Sequence, residues 1–384
     1  MGFFQLPVVS IASTDCPTAS GYELGIRQAL DRLGGLEKLV SAGQTVLLKP
    51  DLMFDYPGSS TQTTDPEFVA AVARLIKATG ARVVIGDSPF VLHSPDGHFW
   101  RSTGMAKVAD REGFDLVNFE MAGSHAVAID TRVYYVSRAA MEADVVISVP
   151  ILKPDSDSGF AGGIRNMFGT LPGFQKGRLY KKATGGRQLA RILVDVFSAV
   201  RPALTLMQIP AVDECNNLGH DGRGFAIASS DAVALDSVIT ELLGMNPEKI
   251  HTTRLASDAG LGIGWVEAVR MEGEPAEVLK GRFPNVSRRG RPVFLRGITR
   301  GMVEPYVWMK SRVNEELCDG CGTCVSFCPT SALRFEGEST RPIIKADLCI
   351  HCWAGYTNCP VEAIHIEQSK WTQRLFCQST ANPV

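Results

Sequence analysis

Cys318-Asp-Gly-Cys321-Gly-Thr-Cys324-Val-Ser-Phe-Cys328-Pro329 and Cys349-Ile-His-Cys352-Trp-Ala-Gly355-Tyr-Thr-Asn-Cys359-Pro360 are two copies of one pattern. A shift of 31 residues lays Cys318 on Cys349, Cys321 on Cys352, Cys328 on Cys359 and Pro329 on Pro360, and carries Ala332 and Leu333 onto Ala363 and Ile364. One ligand position breaks the match, because Cys324 falls on Gly355. The first copy is the run C-x2-C-x2-C-x3-C-P, whose thiolates hold iron–sulfur clusters. Thiolate sulfur is a soft, charged donor suited to iron, and the x2 spacing lets three thiolates converge from one loop. The second copy is the same run without its third thiolate.

In the two-cluster bacterial ferredoxin pattern, the fourth thiolate of each run reaches the other cluster. That crossing assigns Cys318, Cys321, Cys324 and Cys359 to a complete 4Fe-4S cluster, and Cys328, Cys349 and Cys352 to a second cluster with a vacancy at Gly355. Several states of the second cluster stay open. It holds three irons, or it takes a fourth ligand such as Cys377 or His351, or the change simply weakens it. The sharper alternative is a four-iron cluster with one open iron, where glycine makes room and a substrate heteroatom binds as at other open metal sites. Trp353 and Tyr356 then flank the opening, or pack to shield the cluster from water.

Seven of the ten cysteines belong to this repeat. A disulfide framework is excluded by the Cys-x2-Cys spacings and by an N-terminus, Met1–Ile11, with no basic region or long apolar run of a signal peptide. Structural zinc is the nearer rival, but its sites come as separated Cys pairs rather than a repeated four-Cys run ending in Cys-Pro. Net charge is -2, which argues against a nucleic-acid binder or a partner for acidic membranes. No stretch reaches the roughly 18 apolar residues of a membrane span. These features predict a cytoplasmic protein.

Upstream, 384 residues leave room for two or three domains. Short apolar runs at Pro7–Ala12, Thr45–Lys49, Arg82–Ile85, Leu116–Phe119, Val145–Val149, Leu204–Ile209 and Phe225–Ala228 predict strands. Ala126–Ile129 and Val133–Val136 predict a hairpin. Helical spacing at Tyr22–Leu33, Phe68–Ala78, Gly104–Arg111, Gln188–Val200 and Ser230–Leu243 falls between them. Thr64-Asp65-Pro66-Glu67 is a helix start, with a polar cap and proline in the first turn. The alternation predicts an α/β domain, a mostly parallel sheet with helices on both faces, followed by a C-terminal α+β two-cluster ferredoxin-like domain. Residues 153–182, rich in glycine and basic residues, read as one long loop. Gly260, Gly262 and Gly264 are spaced like a dinucleotide loop but follow a helical segment, which predicts a helix C-cap and turn.

Polar residues gather just after the predicted strands: Lys49 and Asp51, Asp87 and Ser88, Lys153, and Asp213 with His220 and Asp221 beyond it. Ligands of open α/β sheets bind at the carboxyl ends of strands. Taken singly, each residue is explained by a helix cap or a turn; together they mark a candidate pocket. Gly162-Gly163-Ile-Arg165-Asn166 could cradle an anion through backbone N–H groups, or form a surface loop. Arg178, Lys181, Lys182 and Arg187 suggest a solvated face, and His93 and His98 ordinary loop histidines.

Leu48-Lys49-Pro50-Asp51-Leu52, Gly86-Asp87-Ser88-Pro89, Gly163-Ile-Arg165-Asn166 with Phe168-Gly169, and Ser230-Asp231 through Asp236 occur in that order. With the C-terminal cysteine repeat, the chain resembles the "domain of unknown function 362" family of iron–sulfur proteins over about residues 40–265 and 315–367. The family pattern favours Asn where Asp51 stands and Lys where Arg165 stands, and carries a complete second cluster where Gly355 breaks this one. The resemblance implies an architecture without a substrate: residues 1–270 as the α/β domain, 271–312 as a connecting segment, 313–368 as the ferredoxin-like domain and 369–384 as an extension.

Two functions fit. The first is an iron–sulfur oxidoreductase that passes electrons from an external donor such as a ferredoxin or flavodoxin through the complete cluster to the second, and on to a small substrate. Asp87, Lys153, Arg165, Asn166 and Asp213 then bind or polarise that substrate. In a variant, the open iron itself performs reduction, elimination or sulfur transfer. The alternative is a non-catalytic electron-transfer or cluster-carrier protein whose large domain docks a partner. A flavin fits either, since many flavin sites lack a short motif.

Overall fold

The computed structural model describes residues 6–14, 18–52, 63–88, 98–155, 159–173, 175–210, 224–246, 249–279, 309–328, 330–337, 339–349 and 354–370. In its first part the strands are β1 (Val8–Thr14), β2 (Thr45–Pro50), β3 (Arg82–Asp87), β4 (Asp115–Asn118), β5 (Ser124–Ile129), β6 (Arg132–Ser137), β7 (Val145–Val149), β8 (Lys153–Asp155), β9 (Gly159–Ala161), β10 (Leu204–Ile209), β11 (Gly224–Ser229) and β12 (Arg270–Gly273). Eight of them form one sheet in the order β12-β1-β11-β10-β7-β2-β3-β4. Every neighbouring pair is parallel except the two made by β11. The pairs β5–β6 and β8–β9 are separate antiparallel hairpins.

Side chains alternate across a strand, and both faces here are apolar. Val46, Leu48, Ile147 and Val149 join the core beneath the helices Ala19–Arg32, Pro66–Ala78 and Met105–Glu112. Leu47 and Val146 point the other way, toward the helix Gly186–Ala199. Farther along the sheet, Met207 and Ile227 pack against the helix Ala232–Leu242. Burial on both faces is why β7 reads as an unbroken run, Val-Val-Ile-Ser-Val, all five residues buried. The helix starts follow local chemistry. Asp65 caps Pro66–Ala78 by accepting from Glu67 N, and Asp231 caps Ala232–Leu242 by accepting from Val233 N and Ala234 N. The helix His251–Asp258 closes at Gly260, whose φ of 69° is the left-handed conformation glycine adopts freely.

Two expectations change. Residues 153–182 are not one loop: they hold the β8–β9 hairpin, a helical turn at Gly163–Asn166, a 3-10 turn at Met167–Thr170 and the helix Gln175–Lys182. Elements this short show no apolar period, yet Ile164, Met167, Phe168 and Leu171 are buried in the core. The sheet unit also runs past residue 270. Strand β12 pairs with β1, and Leu279 of the turn Ala276–Leu279 is fully buried.

The C-terminal unit adds β13 (Met309–Val313), β14 (Leu333–Arg334), β15 (Ile343–Ile344) and β16 (Ile364–Gln368), paired as β13–β16 and β14–β15. Helical turns at Thr323–Ser326 and Ala354–Thr357 occupy equivalent places in the two cysteine runs. Its small core is Cys324, Leu333 and Ile364. Arg178, from the large unit, donates to the carbonyl oxygens of Asp347 (3.1 Å) and Ala346 (3.0 Å) in this one. No helix among the described residues is long and apolar enough to cross a membrane.

Gly86 gives a stability prediction. A Cβ there would stand 2.3 Å from Phe119 Cε1 and 2.9 Å from Leu47 Cδ1. Gly86→Val is expected to cost about 1–3 kcal/mol through overpacking, read as a lowered midpoint in chemical denaturation. An unchanged midpoint would mean that Phe119 moves aside freely.

Candidate functional site

The carboxyl ends of the parallel strands bring together groups that lie far apart in sequence. Lys49, on β2, is 1% exposed. Its ammonium lies 2.7 Å from Asp87 Oδ1, at the end of β3, and also donates to Pro50 O (2.7 Å) and Asn166 Oδ1 (3.1 Å). Asn166 completes the link by donating from Nδ2 to Lys49 O and to Ser148 Oγ of β7, both at 2.9 Å. Asp87 also accepts from Leu52 N and Ser88 N. Burial raises its carboxyl above the usual range and the Lys49 charge opposes that; three donors aimed at the carboxylate favour its ionised form.

A second cation joins from the helix Gln175–Lys182. Lys176 donates to Ser88 O (2.5 Å) and Ser88 Oγ (2.7 Å), while Ser88 Oγ donates to Glu120 Oε1 (2.9 Å). Burial holds the Lys176 ammonium down to about 8, against the pull of Glu120 and Asp87 and helped by Lys49. An amine in that range exchanges protons near neutral pH.

The other candidates stand nearer the surface. Lys153 pairs with Asp51 at 2.8 Å, and Arg165 with Asp155 at 2.7 Å. Their side chains are 9% and 22% exposed. The turn that carries Arg165 and Asn166 is anchored from below by Asp236, which accepts from Gly163 N (2.7 Å) and Ile164 N (3.1 Å). Burial pushes the Asp236 carboxyl up to about 7, against the two amide donors and with the Asp231 charge adding to it. Glycine is required on both flanks. A Cβ on Gly162 would meet Asp236 Oδ1 at 2.3 Å, and one on Gly169 would meet Lys49 Nζ at 2.6 Å and Asp87 Oδ1 at 2.7 Å. The Gly-rich stretch is thus not a free surface loop; its glycines let backbone close over buried charges.

Of the sequence candidates, Asp87 and Asn166 meet on Lys49, whereas Lys153 and Arg165 each hold a separate aspartate. Asp213, His220, Asp221 and His93 lie outside the described residues. The sequence reading passed over Lys176, Glu120 and Asp236 as site groups and noted Lys49 only beside Asp51. For Asp236 a signal existed: an acid on the buried, mostly apolar part of the helical run Ala232–Leu242 needs buried donors.

In the C-terminal unit, burial pushes the Cys324 thiol up to about 11, and the charges of Cys359, Cys318 and Cys321 add to it. The four therefore share one neighbourhood. Among the described residues no three such side chains converge on one point as ligands of a single ion; the thiolates of a cubane each bind a separate iron, so this does not bear on a cluster. Backbone N–H groups point at two of the run-ending sulfurs, Leu333 N to Cys328 Sγ (3.3 Å) and Ala363 N to Cys359 Sγ (3.2 Å), the kind of contact that tunes a cluster's potential. Cys352, His351, Trp353 and Cys377 lie outside the described residues, and Tyr356 is exposed. Gly355 itself lies against the small core of this unit. It is buried, and a Cβ there would stand 2.5 Å from Leu333 Cδ1 and 3.2 Å from Ile364 Cδ1.

The family model "Domain of unknown function (DUF362)" matches residues 46–241, and the "4Fe-4S binding domain" model matches 311–334. A thylakoid-associated protein of Synechocystis sp. is 32% identical over 263 residues, which is 66% of this chain and 80% of that one. An uncharacterized protein of Methanocaldococcus jannaschii is 40% identical over 47 residues, 12% of this chain and 20% of its own. Among solved structures, the lactate racemase apoprotein from Thermoanaerobacterium thermosaccharolyticum aligns with a TM-score of 0.40 at 14% identity, covering 60% of this chain and 55% of that one. The C-terminal unit is an iron–sulfur electron-transfer module with at least one cluster.

Lys49→Met strips the cation from Asp87 and is expected to cost about 3–5 kcal/mol, since it leaves a buried charge uncompensated. Adding Asp87→Asn should recover much of that loss in a denaturation cycle. Asp236 adds a pH signature. Its folded pKa of about 7 lies above the unfolded value, so the stability it contributes is full below about 3.9 and is lost as pH rises to about 7. Asp236→Asn imitates the protonated acid. Thermal scans from pH 4 to 8 should therefore show wild type losing stability relative to the variant as pH rises; parallel curves would contradict the assignment.

Proposed function

The chain belongs to the domain of unknown function 362 family, and we propose that it is an iron–sulfur oxidoreductase that delivers electrons to a small substrate at the carboxyl edge of the large sheet. In this reading Cys318, Cys321, Cys324 and Cys359 hold one cluster, and Cys328, Cys349 and Cys352 hold a second. Bound there, the clusters supply one-electron transfer.

The observation that carries the proposal is the helix Gln175–Lys182. Its Gln175 clamps the β5–β6 hairpin, accepting from Tyr135 N (2.9 Å) and donating to Tyr135 O (2.6 Å). Its Lys176 reaches the buried site at Ser88. Its Tyr180 sets a ring edge-on to Phe168, at 5.5 Å, beside Gly169. Its Arg178 holds the carbonyls of Ala346 and Asp347, just ahead of Cys349. A single helix thus touches both the polar site and the approach to the second cysteine run. That orders the path: donor to the complete cluster, then the second cluster, then substrate. Exposed Leu317, next to Cys318, suits the docking of an external donor of the ferredoxin or flavodoxin kind.

At the site, Arg165, 22% exposed, and Lys153, at 9%, are the cations that would meet an anionic or carbonyl oxygen, with Asp213 as a further candidate. Lys49, Asp87 and Asn166 are positioning residues that fix β2, β3 and the Gly163–Asn166 turn in one arrangement. Lys176, with its ammonium held near 8, supplies a proton to the reduced substrate through Ser88 and Glu120.

The test is reoxidation. Protein reconstituted anaerobically and reduced with dithionite is mixed with panels of small oxidised compounds, and the cluster EPR signal is followed. One class is expected to reoxidise wild type, and Lys153→Ala with Arg165→Ala is expected to slow that by about a hundredfold, as loss of oriented binding does, with the cluster signals intact. Reoxidation at the wild-type rate in the double variant would overturn the proposal and leave an electron carrier.

A further inference from the structure

Arg187 belongs to a stretch that suggests a solvated face in sequence, but the fold brings two further arginines to it. A cleft of about 480 Å³ opens beside the start of the helix Gly186–Ala199. Arg187, Gln188 and Arg191 come from that helix, Thr184 from the residues just ahead of it, and Arg132 from β6. Leu255, of the helix His251–Asp258, adds one apolar contact. The volume suits a small molecule. No carboxylate is among the described residues that line the cleft.

The lining is rich in donors. Gln188 Oε1 accepts from Thr184 N and Thr184 Oγ1, both at 2.7 Å. A backbone N–H can only donate, so the oxygen of this amide faces Thr184 and its NH2 group keeps two donors. Arg187 is exposed and pairs with no acid among the described residues. Arg132 and Arg191 are braced by one buried carboxylate. Arg132 Nη1 donates to Asp195 Oδ2 (3.3 Å), and Arg191 Nε lies 3.6 Å from Asp195 Oδ1. Tyr134 donates to the same Oδ2 (2.6 Å) and fixes Asp195, whose side chain is 5% exposed. Arg191 Nη2 also donates to Asp130 Oδ2 (2.9 Å). A guanidinium carries five N–H donors, so both arginines keep donors for a ligand after these contacts. Three cations stand against two carboxylates, Asp130 and Asp195, which leaves one positive charge in excess. The first turn of the helix holds no acid and has no side-chain cap, so its amides add to that positive field.

We propose that this cleft binds the phosphate group of a small soluble molecule, with Arg187 as the uncommitted cation and Arg132 and Arg191 as forks positioned by Asp195. Guanidinium forks match the paired oxygens of a phosphate, and several of them converging on one space favour a multiply charged anion over a single carboxylate. A lipid surface would instead call for basic residues spread over an exposed face, whereas these arginines share one concave space. The proposal goes beyond the electron relay and does not depend on it: no lining residue is a cluster cysteine or a member of the sheet-edge site.

The test is isothermal titration calorimetry on the full chain, purified anaerobically, in buffer free of divalent cations. The probe is pyrophosphate, and sodium chloride at equal ionic strength is the control. Wild type is expected to bind pyrophosphate and to show no binding heat with the salt. Arg187 has no described partner to lose, so Arg187→Gln should keep the wild-type melting temperature while weakening pyrophosphate by about tenfold or more, the loss expected for one hydrogen bond to a charged group. Arg187→Glu should abolish binding. Lys153→Ala with Arg165→Ala should retain the Arg187-dependent binding, because neither side chain lines the cleft. Unchanged affinity in Arg187→Gln, or no affinity above the salt control in wild type, would overturn the site. Loss of binding in the Lys153 and Arg165 double variant would move the anion to the sheet edge and overturn it as well. Sedimentation with vesicles of phosphatidic acid in phosphatidylcholine is the last arm: Arg187-dependent binding to vesicles without binding of pyrophosphate would overturn the soluble ligand.

Discussion

The large unit depends on one buried ion pair, Lys49 with Asp87. Two charges withdrawn from water are costly unless their remaining hydrogen-bonding capacity is met. Here it is met by the backbone of two segments, Pro50 with Leu52 and Ser88, and by the amide of Asn166. Because the partners come from the ends of β2 and β3 and from the Gly163–Asn166 turn, which in turn reaches Ser148 of β7, satisfying the pair fixes these elements relative to one another. The glycine at 169 belongs to the same constraint, since any side chain there would strike both members of the pair. A hydrophobic exchange of similar size could match the stability, but it would not orient Asn166 or hold Ser88 for Lys176.

Around that pair the molecule is arranged in layers of decreasing burial. Lys49, Asp87 and Asn166 lie at the bottom, Lys176 with Ser88 and Glu120 at one side, and Lys153 and Arg165 above, each held by an aspartate. The innermost N–H donors, those of Lys49 Nζ and Asn166 Nδ2, are all engaged within the site.

Much of this was legible from the residues. Fully buried strands such as Val145–Val149 declare themselves as short β-branched runs, and Asp65-Pro66 announces its helix through local chemistry. The cysteine repeat is legible because its ligands come from one segment at fixed spacing. What escaped was tertiary. Nothing near Lys49 in sequence says that it is buried, since its partners are 38 and 117 residues away. Lys176 sits in a run with Arg178 and Lys182 that reads as a solvated face, yet its side chain turns inward. Residues 153–182 escaped because elements of three or four residues are shorter than any hydrophobic period. At Gly355 the absent thiolate was plain, but the Leu333 methyl beside it was not.

Among the described residues, Arg178 joins the two units through two carbonyl oxygens. A peptide carbonyl is the same whatever residue carries it, so this joint reads the course of the backbone before Cys349 and is indifferent to the side chains of Ala346 and Asp347. Substitutions at those positions leave the acceptors in place. The iron–sulfur unit can therefore drift in side chains at these two positions without losing this contact with the large unit: here it is a cassette held by its main chain.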